Sequence, residues 1–125
     1  MTTRPSPSPF IALGVISATT PTGRRRRAAA RDSWLRYVPE TSFAIRFVLR
    51  CGGLTSVARS QLRAEDDERR VICADDSIRA REGRHRGPLL ALAWWLRHAL
   101  LAFPSAMFIA KSDSDVFLML VLNRR

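Results

Sequence analysis

Apolar positions fall into short blocks along this chain, and the period changes from block to block. "FIALGVISA" (10–18) is a continuous apolar run bounded by turn residues, the pattern of a buried strand. "TTPTG" follows as a loop, and "RRRRAAARDSWLR" is rich in helix formers. In "FAIRFVLR" (43–50) the period is two. Phe43, Ile45, Phe47 and Leu49 share one side and Arg46 and Arg50 the other, predicting a strand with one packed face. "CGG" breaks this run, and helical spacing returns in "LTSVARSQLRAEDDERR" through Leu54, Val57 and Leu62. "VICA" (71–74) reads as a short strand, with a polar loop from Asp75 to Gly87 after it. "PLLALAWWLRHALLAF" opens with Pro88 at a natural first-turn position. Apolar on most faces, it predicts a helix lying against a sheet and under other elements. "MFIA" (107–110) gives a fourth strand, and residues 1–9, "MTTRPSPSP", an unstructured lead-in.

Four strands therefore alternate with three helices, which predicts an α/β fold with a mostly parallel sheet and flanking helices. In such sheets ligands sit at the carboxyl ends of the strands. "AKSDSDVF" falls at one of those ends. Asp113 and Asp115 there are two hard oxygen ligands on a tight turn, suited to Mn²⁺ or Mg²⁺ holding a diphosphate. Two nearby aspartates also commonly mark a plain solvated turn.

Charge adds a second layer. The 125-residue chain carries a net +10, and arginine supplies all of its cations but Lys111. Such a balance suits phosphate-bearing ligands, nucleic acid or an anionic surface. No nucleic-acid-binding module motif accompanies it, so a small basic nucleic-acid-binding protein stands as the rival reading. Arg27, Arg31 and Trp34 are spaced i, i+4, i+7 for one helix face, which either clamps an anion or faces water. Asp75 and Asp76 follow a strand, where an acid can bind a ribose, although a charged loop reads the same way. His85 and His98 match no ligand spacing, and neither is expected to be catalytic. Cys51 and Cys73 match no zinc or redox spacing and read as small core residues, their pairing left open. The longest apolar stretch is broken by Arg97, His98 and Pro104, which argues against a membrane span.

Taken in order, these pieces resemble the β-1,3-galactosyltransferase family (glycosyltransferase family 31) of hexosyltransferases. The likeness rests on "FIALGVISA" with Ser17, on "RAAARDSW" with Arg27, Arg31, Ser33 and Trp34, on "VICADD", on "LLALAWW" and on "FIAKSDSDVF". It spans about residues 10–122. Ser114 stands where the family has a middle aspartate, and "HRGP" replaces its Asn-Leu-Thr-x-Lys segment. The resemblance implies a GT-A, Rossmann-like domain over residues 10–125, truncated after the Asp-x-Asp turn. It implies a UDP-sugar donor and a glycan or glycoprotein acceptor in the Golgi, with transfer by inversion. It further implies Mn²⁺ (or Mg²⁺) on Asp113 and Asp115, and donor contacts from Arg27, Arg31, Asp75, Asp76 and Lys111. The family's catalytic base and acceptor site fall in a second half absent from this sequence, so an inactive fragment is the remaining alternative.

Overall fold

The computed structural model describes residues 9–65, 70–80 and 86–113. Strands β1 (Ile11–Ile16), β2 (Phe43–Leu49), β3 (Val71–Cys73) and β4 (Phe108–Asp113) alternate with helices α1 (Pro21–Asp32), α2 (Ser56–Glu65) and α3 (Arg86–Ala102). The sheet runs β3-β2-β1-β4, and every pairing among the described residues is parallel. This is an α/β architecture, consistent with a Rossmann-like fold. Chain order reverses direction between β1 and β4, so the crevice beyond their carboxyl ends is the topological switch point.

Helices cover the sheet on both faces. Leu13, Val15, Ile45, Phe47 and Leu49 pack with Ala30 of α1, Trp34 and Leu35 in one core, with Leu62 of α2 at its margin. Ala12 and Val48 pack with Trp95 and Ala99 of α3 in the other. Gly14 lies directly under Trp95: a Cβ there would stand 2.4 Å from the indole. The indole Nε1–H in turn donates to the Ala110 carbonyl at 2.9 Å, pinning α3 over β1 and β4.

Several sequence expectations are corrected. β2 is packed on both faces, because as a central strand it lies between two helix layers. Arg46 is accommodated there by spreading its guanidinium over Phe103 at 5.2 Å and pairing with Glu40 at 2.8 Å. The first helix starts earlier than its arginine run, at Pro21, because Thr20 caps it by accepting from the Gly23 N–H. It stops at Asp32, and Trp34 belongs to a separate 3₁₀ turn, Trp34–Tyr37, with its side chain in the core. On α2 it is Ala58 rather than Val57 that turns inward with Leu62; Val57 is exposed. β4 runs on through Asp113, so Asp113 lies in the strand rather than on a turn, and the rest of the expected Asp-x-Asp turn lies outside the described residues. Among the described residues, nothing covers the outer face of α3, where Leu89 and Leu100 are exposed.

Cys51, just past β2, is joined by a disulfide to Cys73, the last residue of β3. The bond closes a loop around α2 and ties the sheet's three-residue edge strand to its core.

Candidate functional site at the carboxyl ends of β1 and β4

Parallel pairing sets Ile16 opposite Asp113, so the end of β4 lies beside the turn that leaves β1. That turn is Ser17-Ala18, and α1 begins close beneath it. A side chain at Gly23 would meet the Ala18 carbonyl oxygen at 2.1 Å, so glycine is what allows the helix to start so near. The first turn of α1 closes on its own cap: Pro21 has no N–H, the Gly23 N–H donates to Thr20 Oγ1 at 3.1 Å and the Arg24 N–H to the Thr20 carbonyl at 3.0 Å.

Arg27 fixes this arrangement from inside. Its side chain is 1% exposed, and Nη1 donates to Ser17 Oγ at 2.8 Å and to the Ala18 carbonyl at 2.6 Å. Nε and Nη2 reach the two carboxylate oxygens of Glu65 at 2.6 and 3.0 Å, a two-pronged ion pair between α1 and α2. Arg31 shares the same carboxylate, Nη1 to Oε1 at 3.0 Å, and its guanidinium lies 5.4 Å over the Phe47 ring. Its Nη2 is buried with no hydrogen-bond partner among the described residues.

Burial pushes the Glu65 carboxyl up. The hydrogen bonds and charges of Arg27 and Arg31 outweigh it and hold the group below its ordinary range. Sequence reasoning gave Glu65 no role. Its signal was there: Ala58, Leu62 and Glu65 are spaced i, i+4, i+7, which sets an acid on the packed face of α2.

Beside this network opens a cavity of about 310 Å³, lined by Thr19, Thr20, Arg24, Arg27, Gln61 and Glu65 among others. Arg24 and Arg27 line it with one carboxylate, Glu65, which Arg31 also engages. The wall is positive, and its volume is at the small end for ligand pockets.

On β4, Asp113 is 66% exposed, with Lys111 Nζ 3.8 Å from its carboxylate. Lys111 lies opposite Gly14 in the register and is itself half exposed. Asp115 lies outside the described residues. Among those described, no group of three His, Cys, Asp or Glu side chains is placed to hold a metal ion. A single accessible carboxylate still fits Mn²⁺ or Mg²⁺, which commonly take one or two protein carboxylates and complete their shell with water and phosphate.

Asp75 and Asp76 stand apart from this cluster. They follow β3, three strand spacings (roughly 14 Å) from β4. Asp75 accepts from the Ser77 N–H at 2.9 Å, a turn contact that lowers its pKa. Asp76 pairs with Arg59 at 2.9 Å. His98 stacks on Trp94 in α3, and His85 lies outside the described residues. The structure thus brings Arg27 and Arg31 together on Glu65 beside the turn after β1, sets Lys111 and Asp113 apart from them on β4, and leaves Asp75 and Asp76 at the far edge. No helix among the described residues is long and apolar enough to cross a membrane. No protein-family model matches this chain, and neither does any curated protein or solved structure.

Proposed function

We propose that this chain is the donor-binding part of a GT-A hexosyltransferase resembling the β-1,3-galactosyltransferase family. Its role would be to bind a UDP-sugar whose hexose passes, with inversion, to a glycan or glycoprotein hydroxyl. The observation that carries the reading is the position of Asp113 on the last residue of β4, in register with Ile16 at the switch point of a parallel sheet. Ligands of open α/β sheets bind there.

Asp113, with Asp115 beyond the described residues, would hold Mn²⁺ or Mg²⁺; the ion when bound neutralises a diphosphate leaving group. Lys111 adds a cation beside that carboxylate. Arg27 acts as a positioning residue, since Glu65 and the Ser17-Ala18 turn occupy its donors. Arg24 and Arg31 supply the unbalanced positive charge next to it. No residue is assigned as the base that inversion requires. The Cys51–Cys73 disulfide suits an oxidising compartment, in keeping with the secretory pathway and a Golgi enzyme.

Calorimetric titration of UDP with and without Mn²⁺ tests the reading. Binding that needs Mn²⁺ and is lost in Asp113→Ala/Asp115→Ala is the expected result; a folded chain that binds no UDP overturns it.

A further inference from the structure

Helix α3 has two apolar faces, and among the described residues only one is covered by the fold. Ala91, Trp95 and Ala99 are buried against the sheet. On the opposite side Leu89, Ala93, Leu96 and Leu100 recur at i, i+4, i+7 and i+11, within a sector about 60° wide and about 16 Å long. All four are exposed, the leucines by 65, 41 and 63% in turn. Helix geometry sets Arg86 and Arg97 on one flank of this stripe, and both are exposed. No acidic residue occurs anywhere in the helix.

We infer that this face of α3 lies on an anionic lipid surface, its leucines entering the headgroup–acyl boundary and its arginines meeting the headgroups. Three features favour that occupant. The stripe is a ridge of spaced, flexible side chains, which a fluid boundary receives without a matching groove. Arg86 and Arg97 have stems long enough to lie along apolar surface while their charges reach phosphate. The chain is also strongly cationic, at +10, which adds attraction toward an anionic surface. A second copy fits less well. Antiparallel pairing of two α3 helices brings Arg86 of one toward Arg97 of the other, like charge against like.

The test is co-sedimentation of the whole chain with phosphatidylcholine vesicles, with and without phosphatidylglycerol. The wild-type chain is expected to bind the anionic vesicles and to partition onto pure phosphatidylcholine about tenfold more weakly, as charge attraction adds to apolar burial. Leu96→Glu/Leu100→Glu, changes at exposed positions, should reduce binding to anionic vesicles by at least about tenfold. Val57→Glu, at an exposed apolar position on the other side of the sheet, should leave it unchanged. Equal loss in Val57→Glu, or no binding by the folded wild-type chain, overturns the inference. So does a dimer in sedimentation velocity that the Leu96/Leu100 variant dissolves, since the stripe would then belong to a second copy.

Discussion

Arg27 and Glu65, 38 residues apart, form a two-pronged ion pair between α1 and α2, with side chains only 1 and 7% exposed. The pair joins the first two helices of the fold at the point where β1 ends. Glu65→Ala leaves two arginines without their shared carboxylate and should cost about 3 kcal/mol or more. An Arg27→Met/Glu65→Leu double variant leaves only Arg31 without its carboxylate, and its loss should be smaller than the sum of the Arg27→Met and Glu65→Ala losses. Urea unfolding of the three variants decides it; additive losses would contradict the coupling.

The same pair makes stability depend on acid. The folded Glu65 carboxyl titrates below its ordinary value of 4.5, so its contribution is complete above about pH 4.5 and is lost as pH falls through the lowered value. Wild-type stability should therefore fall more steeply below pH 4.5 than that of Glu65→Gln. Parallel curves for the two would remove Glu65 from the acid transition.

His98 is held toward its neutral form, first by burial and then by the charge of Arg46. Its folded midpoint should lie below 6.5, so its contribution is present above that pH and is lost as pH falls through the lowered value. Imidazole proton NMR reads the midpoint directly. Arg46→Gln should raise it part of the way back, while a wild-type midpoint at or above 6.5 would contradict the assignment.

Gly14→Ala drives a methyl into the Trp95 indole, where the nearest ring atom stands 2.4 Å away. A loss of about 2 kcal/mol and a changed near-ultraviolet circular dichroism signal are expected. Reducing the Cys51–Cys73 bond, which joins residues 22 apart, should cost about 3 kcal/mol and free β3 first. Hydrogen exchange at Val71–Cys73 measures that release.

Strand and helix order was legible because apolar period and turn residues are local signals, and the four strands fall where those signals lie. The double packing of β2 was not. Arg46 made one face look polar, and only Phe103 and Glu40, distant in sequence, show how an arginine lies in that layer. For the same reason the role of Arg27 was half legible. Its spacing to Arg31 suggested an anion clamp, but the anion they share in the structure is Glu65, carried by another helix. The disulfide depends on β2–β3 pairing, which no spacing of two cysteines encodes.

The central claim concerns the carboxyl ends of β1 and β4, and Mn²⁺-induced broadening of backbone amide resonances tests it in place. With UDP present, sparing Mn²⁺ should broaden the amides of Ile16–Ala18 and Lys111–Asp113 first, leave Glu40 and Thr41 sharp, and lose this selectivity in Asp113→Ala. Uniform broadening, or broadening centred away from Asp113 in a well-dispersed spectrum, would contradict a donor site at that end of the sheet.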